Sequence, residues 1–383
     1  MRNVIIAAVA AVATCASGPA AAQQPIKIGA FLSSTGPISF LGDPEMKTLK
    51  LYVDRINKAG GVKGRPLELV AYDDAGDTSQ ARSFALRLVN QDKVVAIIGG
   101  SSTGTTMATI PVFEDNEIPL ISLAGAITIV EPVKKWVFKT PATDRTAVLR
   151  GFEHMKTNGI AKIGMLNGSD GYGQSGREQA LKAAKELGIE IVADEVYAPT
   201  DSDMTAQLTR IRNANAQAIL NFGIGASPSI IARNVKQLSL NIPLYLSPAI
   251  ASKTFLDNTG AAAEGVFVPV ASLLVADKLP DSAPQKKVAL DYKRTYEEAQ
   301  KEPASYGGGA AYDGLMMLIG AIERTIDKGG KVTPEAIRDE IEKTKEFVGI
   351  NGIFTMSPKD HLGLDSSAFI IAVVKNGDWH PTN

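Results

Sequence analysis

The sequence predicts an α/β protein made of two units, each a doubly wound parallel sheet with helices on both faces. Three observations predict this fold. Short apolar runs alternate with amphipathic helical runs along almost all of the 383 residues. The apolar runs are continuous, as expected of parallel strands that are covered on both faces. This rhythm restarts near residue 144, and a chain of this length can form two cores.

The first unit is predicted from four strand-like runs with helices between them. The runs are IKIGAFLS (26–33), LELVAYD (67–73), VVAIIGG (94–100) and IPLIS (118–122). The helices are predicted from about Asp43 to Ala59, from about Thr78 to Gln91, and from Thr105 to Asn116. Consecutive strand–helix–strand units of this kind imply right-handed crossovers.

The second unit follows the segment FKTPATD (138–144) and repeats the rhythm. Its strands are predicted at 160–168, 189–198, 216–225, 242–249 and 264–272. Its helices are predicted from 144 to about 158, after Tyr172, from about Met204, and after Gly225, and the chain continues with helices at 283–301, 307–328 and 334–344. A last strand and turn at 368–379 belongs to a tail too short for a third domain. We therefore expect the tail to complete the two sheets.

Composition and the N-terminus predict an exported globular protein. The chain is 45% hydrophobic and 21% charged, with a net charge of -1, and this balance gives no sign of nucleic acid as a partner. Residues 1–22 have the pattern of a secretory signal peptide, with a basic start, an apolar run and small residues ending at Ala22. The apolar run is too short to remain as a transmembrane helix.

Cys15, the only cysteine, lies inside this signal peptide. A lipoprotein cleavage site prefers Gly or Ala before its cysteine, whereas Thr14 stands there, so lipid anchoring at Cys15 is the less favoured alternative. Cleavage after Ala22 leaves a chain without cysteine, and therefore without disulfides or thiolate–metal sites.

The segment Gly100–Gly104 reads G-S-S-T-G and has two interpretations. It fits the G-x-S-x-G elbow of an α/β-hydrolase with Ser102 as the nucleophile. It also fits a loop at a helix start, where hydroxyls and free N–H groups hold an anion. The hydrolase needs a histidine after the nucleophile, and the three histidines occupy a helix, a turn-like segment and the C-terminus, at His154, His361 and His380. The anion-binding interpretation is favoured, and an exported serine hydrolase is the alternative.

The segment AYDDAGD (71–77) also has two interpretations. Its carboxylates, Asp73, Asp74 and Asp77, offer ligands to a hard cation, but the spacing of an EF-hand is absent. The favoured interpretation is a strand end followed by a helix capped by Asp77 or Thr78. We predict no metal and no cofactor.

Polar and small residues cluster where the predicted strands end. The clusters lie at 33–36, 99–106, 123–126, 168–173 and 223–225. Ligands bind outside the carboxyl ends of the strands in such sheets, so these clusters are expected to meet at one cleft. The small residues Ala124, Gly125 and Ala126 allow a second backbone to approach the same ligand.

Several motifs give the chain a family resemblance. They are TGP, INKAGGVKGR, DDAGD, GGSSTG, PLIS, GYG, AEG and AAYDG, in that order along the chain. Together they resemble the type I periplasmic solute-binding proteins, in the Leu/Ile/Val-binding family of ABC importers. The resemblance implies two Rossmann-like lobes, a three-crossing hinge and a ligand cleft that closes. Lobe one would comprise 25–141 plus about 270–362, and lobe two 142–269 plus about 363–383.

The same resemblance implies a periplasmic binding protein that is not an enzyme. Its partners would be a small carboxylate ligand and the membrane permease of an importer, and we expect a monomer; an extracellular sensor subunit is a further alternative. The loops GGSST and SLAGA would bind the ligand carboxylate, and the tyrosine of GYG would close from lobe two. The corresponding residues are Ser101, Ser102, Thr103, Ala124, Ala126 and Tyr172, with Gly125 between the two alanines.

Departures from the family pattern point to an unusual ligand. The acidic position that pairs with a ligand ammonium in the amino-acid binders is Ala249 here, and two family tyrosines fall near Leu41 and Gly225. A buried ammonium without a partner is disfavoured. The sequence therefore predicts a carboxylate without an amine, such as a benzoate or phenylpropanoid acid, as in the aromatic-acid-binding branch that the loop resembles. Candidate ring contacts are Phe40, Tyr172, Phe222 and Tyr306.

Binding of branched-chain or other amino acids is the alternative within the family. It requires an acidic residue that reaches the cleft from elsewhere, and Asp170 and Glu264 are the candidates.

Overall fold

The computed structural model describes residues 24–382, so the predicted signal peptide and Cys15 lie outside the described residues. The strands are β1 (Ile26–Leu32), β2 (Leu67–Asp73), β3 (Ile97–Gly99), β4 (Leu120–Ser122), β5 (Val137–Lys139), β6 (Lys162–Gly168), β7 (Glu190–Tyr197), β8 (Ala218–Asn221), β9 (Leu244–Leu246), β10 (Phe267–Val270), β11 (Phe347–Val348), β12 (Ile353–Phe354), β13 (Ile370–Lys375) and β14 (Asp378–Pro381). The helices are α1 (Ser39–Lys58), α2 (Thr78–Arg87), α3 (Thr103–Asn116), α4 (Asp144–Thr157), α5 (Gly171–Leu187), α6 (Thr205–Asn213), α7 (Ser227–Gln237), α8 (Lys253–Thr259), α9 (Pro284–Gln300), α10 (Tyr306–Asp327) and α11 (Pro334–Ile341).

The first sheet has the strand order β2-β1-β3-β4-β5, with all pairs parallel. Its strands are apolar on both faces because helices cover both sides, as the continuous apolar runs predict. One core lies on each side of this sheet. Helices α10 and α11 supply Leu315, Leu318 and Ile337 to the core that also contains β1 and α1.

The second sheet has the order β14-β13-β10-β9-β8-β6-β7. Strands β6 to β10 pair in parallel, whereas β13 and β14 are antiparallel and come from the end of the chain. Ala372, Val374 and Trp379 of these last strands pack into the core beneath β8 and β9. The α/β class and the two-lobed architecture are confirmed, while the exact domain boundaries stay a prediction.

Helices α1 and α10 pack closely because glycines lie between them. A Cβ atom on Gly307 would lie 2.9 Å from the backbone oxygen of Leu41, and one on Gly308 would lie 3.0 Å from the Thr48 hydroxyl oxygen. Only glycine leaves room for this approach. The contact matters for function because the starts of both helices border the cleft described below.

Some elements differ from the sequence prediction. Helix α1 begins at Ser39 and not near Asp43, with Pro44 inside its second turn. Strand β5, the short hairpin β11–β12 and the second antiparallel strand at the C-terminus were not predicted. Helix α2 ends at Arg87, and one π-helical turn over Leu88–Asp92 follows it directly. Asp77 is the cap of α2, since its carboxylate accepts the Gln80 N–H at 2.8 Å, as predicted.

Between residues 24 and 382, no helix has both the length and the apolar character needed to cross a membrane.

Candidate ligand-binding cleft

A cleft lies between the two sheets, at the carboxyl ends of their strands, and has a volume of about 410 Å³ when its opening to solvent is included. Loops after β3 and β4 form its floor, the start of α5 and the loops after β8 and β9 face them, and α1 and α10 close one side. The lining residues are Leu41, Glu45, Ser101, Ser102, Thr103, Leu123, Gly125, Tyr172, Ile224, Ala249, Tyr306 and Gly307.

Most of the residues predicted to bind ligand line this cleft. They are Leu41, Ser101, Ser102, Thr103, Gly125, Tyr172, Ala249 and Tyr306. Phe40 and Gly225 line a neighbouring cavity instead. Ala124, Ala126 and Phe222 are packed in the hydrophobic cores beside the cleft. The contact of each residue with a ligand stays a prediction.

The start of α3 presents two neighbouring hydroxyls in different states. Ser102 is the N-cap: its hydroxyl accepts the Thr105 N–H at 3.1 Å, and the Thr105 hydroxyl accepts the Ser102 N–H at 3.3 Å. The hydroxyl of Thr103 is buried and has no hydrogen-bond partner among residues 24–382. A buried, unpaired hydroxyl at a helix start is suited to donate to a ligand anion, since first-turn N–H groups also lack partners within the helix.

Ser101 belongs to a buried hydrogen-bond network. Its hydroxyl accepts the Ser33 N–H at 3.0 Å and donates to the carboxyl group of Glu45. The Ser33 hydroxyl in turn donates to Asp74 at 2.5 Å. The Ser101 hydroxyl therefore positions Glu45 and is already engaged on both sides.

Glu45 is the residue that sequence reasoning missed. It lies on α1, is 1% exposed, and borders the cleft without forming an ion pair with any described cation. Burial raises its pKa from 4.5 to about 8; the Ser101 hydrogen bond opposes this shift and the charge of Asp74 adds to it. Glu45 follows Leu41 by four residues, so both side chains share one helix face. A helix start at Ser39 would have revealed this spacing.

The prediction that the pocket lacks a partner for an ammonium group did not take Glu45 into account. Ala249 does line the cleft, but Glu45 supplies a carboxyl group from the opposite lobe. Neither acidic candidate named from the sequence lies there. Asp170 caps α5 by accepting the N–H groups of Tyr172 and Gly173, and Glu264 accepts the Asn376 N–H elsewhere on the second sheet.

Gly125 and Tyr172 bring the two lobes together at the cleft. A Cβ atom on Gly125 would lie 2.8 Å from Cε2 of the Tyr172 ring. The ring is 5% exposed and also packs against Phe222, with the ring centroids 5.7 Å apart. The absence of a side chain at position 125 thus allows the Tyr172 ring to lie against this segment beside the cleft.

Two buried charged residues, Lys139 and Asp144, lie where the chain crosses from β5 to α4. The Lys139 ammonium donates to the Gly125 carbonyl at 3.2 Å, and the Asp144 N–H donates to the same oxygen at 3.0 Å. The Asp144 carboxylate accepts the Ile127 N–H at 3.0 Å. Burial lowers the pKa of Lys139 to about 7 and raises that of Asp144. These contacts fix the 125–127 segment against the crossing.

The geometry does not assemble a serine hydrolase. The Ser102 hydroxyl bonds to Thr105, while His154 bonds to the Tyr245 hydroxyl and His361 lies between the Val137 carbonyl and Glu342. Among the described residues, no cluster of three or more His, Cys, Asp or Glu side chains is arranged to hold a metal ion. The carboxylates of AYDDAGD are engaged in turn and cap hydrogen bonds.

Two α/β lobes with a cleft between them, at the carboxyl ends of their strands, define the architecture of a two-lobed ligand-binding protein. The chain belongs to the periplasmic binding protein family, whose model, described as "Periplasmic binding protein", matches residues 25–378. The predicted resemblance to this family is confirmed, and the members named below are binding proteins, not enzymes. The narrower resemblance to an aromatic-acid branch stays a prediction.

Relatives cover nearly the whole chain. The "Leucine-, isoleucine-, valine-, threonine-, and alanine-binding protein" of Pseudomonas aeruginosa is 26% identical over 94% of this chain and 91% of its own length. The "Leu/Ile/Val-binding protein BraC3" of Rhizobium johnstonii is 26% identical over 88% of each chain. The crystal structure of an extracellular ligand-binding receptor from Rhodopseudomonas palustris HaA2 is similar with a TM-score of 0.87, 26% identity, and coverage of 94% and 99%.

Proposed function

We propose that this protein is the periplasmic substrate-binding subunit of an ABC importer and that it binds a small aliphatic α-amino acid. The observation that carries the proposal is the buried Glu45 carboxyl group in the same cleft as the unpaired Thr103 hydroxyl. An α-amino acid presents one cation and one anion on a single carbon. The cleft offers a matching acid and a matching helix start.

The ligand carboxylate would lie at the start of α3. The Thr103 hydroxyl donates to it, and the helix dipole together with the first-turn N–H groups adds favourable interactions. The ligand ammonium would lie against Glu45, which ionises on binding because a buried charge needs an opposite charge beside it. The Ser101 hydroxyl holds Glu45 in this position.

The apolar lining and the relatives favour an aliphatic side chain. Leu41, Leu123 and Ile224 provide branched apolar surface within the cleft. The named relatives from Pseudomonas and Rhizobium bind leucine, isoleucine and valine according to their names. At 26% identity, these names support aliphatic amino acids as the ligand class. Membership of the same family supports the membrane permease of an importer as the partner. The proposal also includes that the protein is a monomer and that it is free in the periplasm after export.

An aromatic carboxylate is the second candidate. Tyr172 and Tyr306 provide two rings in the cleft, and the small side chain of Ala249 takes up little of the space that they line. With its pKa raised to about 8, Glu45 is neutral at pH 7 and can then donate a hydrogen bond to a carboxylate. This candidate needs no ammonium group.

Calorimetric titration separates the two candidates. Residues 23–383, unfolded and refolded to remove carried-over ligand, are titrated at pH 7 with leucine, valine, alanine, benzoate and 4-hydroxybenzoate. We expect micromolar or tighter binding of leucine or valine, and no heat from the benzoates. The variant Glu45→Gln should weaken leucine binding by at least about 30-fold, equivalent to about 2 kcal/mol for a lost buried charge pair.

The matched control is Glu178→Gln, which changes an exposed carboxylate on α5 that pairs only with Lys182. It should bind leucine like the parent protein. Tight binding of a benzoate with silent amino acids would overturn the proposal and favour the second candidate.

A further inference from the structure

A second cavity adjoins the cleft. It has a volume of about 980 Å³, including its opening to solvent, and it lies between the start of α1 and helices α7 and α8. The two cavities are lined by successive residues of the same three segments. Leu41, Ile224 and Ala249 face the cleft, and their neighbours Phe40, Gly225 and Ile250 face the second cavity. We call the second cavity the outer chamber.

Free space lies beside Gly225, which borders the outer chamber next to Ile224 of the cleft. Gly225 has a positive φ of 80°, and a Cβ atom built on it would have a single neighbour within 4 Å, the Pro37 carbonyl oxygen at 3.9 Å. Pro37 also lines the outer chamber, so a ligand side chain that passes Gly225 would meet little steric obstruction on that side.

The outer chamber carries one charge. Arg233 on α7 is the only charged residue among those that line it. One guanidinium nitrogen donates to the Asn258 carbonyl at 2.8 Å, and no carboxylate of residues 24–382 lies within ion-pair distance of Arg233. Arginine binds carboxylates through two parallel N–H donors, so its remaining donors are suited to an acidic group.

We propose that the binding site extends into the outer chamber and takes α-amino acids whose long side chain ends in a carboxylate. This inference rests on the proposed function, since the α-ammonium and α-carboxylate would stay at Glu45 and Thr103. The side chain passes between Leu41 and Gly225, and its terminal acid pairs with Arg233. The ligand would be a dicarboxylic amino acid whose side chain is longer than that of leucine or valine.

A homologous series tests this extension. The parent protein and Arg233→Gln are titrated with leucine, norleucine, glutamate, L-2-aminoadipate and L-2-aminopimelate. We expect at least one of the two longer diacids to bind the parent at least tenfold more tightly than norleucine. Arg233→Gln should remove that advantage and leave leucine affinity within about twofold.

Arg212→Gln is the matched control, because Arg212 is another exposed arginine, on α6, without a carboxylate in ion-pair distance among the described residues. It should leave the whole series unchanged. Thermal unfolding of both variants checks that they fold.

Each remaining outcome has one meaning. If leucine binds and no diacid gains affinity, or if the gain survives in Arg233→Gln, the extension is overturned while the proposed function stands. If neither leucine nor any diacid binds, the proposed function itself fails, and the extension fails with it.

Discussion

At the scale of single residues, Glu45 determines what the cleft can bind. A carboxyl group that is buried and lacks a cation is neutral in the free protein near pH 7, because burial raises its pKa to about 8. An ammonium ligand needs the ionised form. Binding of such a ligand must therefore release a proton, whereas binding of a simple carboxylate would not.

We expect the association constant for leucine to rise about tenfold per pH unit between pH 6 and about 8, and to level off above. Titration at pH 6.5 in buffers of different ionisation enthalpy should show release of close to one proton. Because burial also lowers the pKa of Lys139 to about 7, the variant Glu45→Gln identifies the group. A pH slope that persists in Glu45→Gln would assign the proton to another residue.

The same pKa shift predicts a dependence of stability on pH. Between pH 4.5 and about 8 the folded protein keeps a proton on Glu45 that the unfolded chain has released. The free energy of unfolding should therefore fall as the pH rises through this range, and the contribution is complete only below about pH 4.5. Denaturant unfolding of the parent and of Glu45→Gln, compared across this range, measures the difference.

At the scale of elements, the start of α3 assigns different roles to adjacent hydroxyls. Ser102 closes the helix with a reciprocal cap, whereas the Thr103 hydroxyl has no partner in residues 24–382. Thr103→Val keeps the shape of the side chain and removes only the donor. It should weaken ligand binding at least about tenfold, from roughly 1.5–3 kcal/mol for a hydrogen bond to a charged group, without loss of stability.

Ser102→Ala should show the reverse. Loss of the cap lowers the free energy of unfolding by about 1 kcal/mol. Its effect on ligand affinity should be smaller than that of Thr103→Val. Equal effects of the two variants on affinity would show that the cleft does not distinguish these hydroxyls.

Elements also show how far the sequence can be interpreted alone. The long apolar runs predict β1, β2 and β6 because both faces of each parallel strand must be covered. Strand β5 was not predicted, because its three residues are too few to show a periodic pattern of apolar side chains. The predicted start of α1 near Asp43 left Leu41 outside the helix, so the four-residue spacing between Leu41 and Glu45 was not recognised. Glu45 becomes a site residue only through tertiary burial, which no local pattern encodes.

At the scale of the whole molecule, we expect closure of the lobes over a ligand to depend on the missing side chain of Gly125. A Cβ atom there would lie 2.8 Å from the Tyr172 ring, so Gly125→Ala must displace the ring or hold the lobes apart. We expect leucine affinity to fall at least about tenfold, which corresponds to a destabilisation of the closed state by about 1.4 kcal/mol. Small-angle scattering with saturating leucine should give a larger radius of gyration than for the parent.

Gly151→Ala is the control for this substitution. Gly151 lies inside α4, and a Cβ atom there would have no neighbour within 4 Å. Alanine should raise stability by roughly 0.5–1 kcal/mol and leave affinity unchanged. If Gly125→Ala also left affinity and scattering unchanged, the ring contact would have no part in closure.

The end of the chain completes both lobes. Strands β13 and β14 complete the second sheet, and α10 and α11 complete a core of the first. Neither lobe can finish its core until the last quarter of the chain is present, so folding depends on contacts between residues far apart in sequence and should be slow. A slow-folding chain stays extended for longer after synthesis, which would suit the export that residues 1–22 predict.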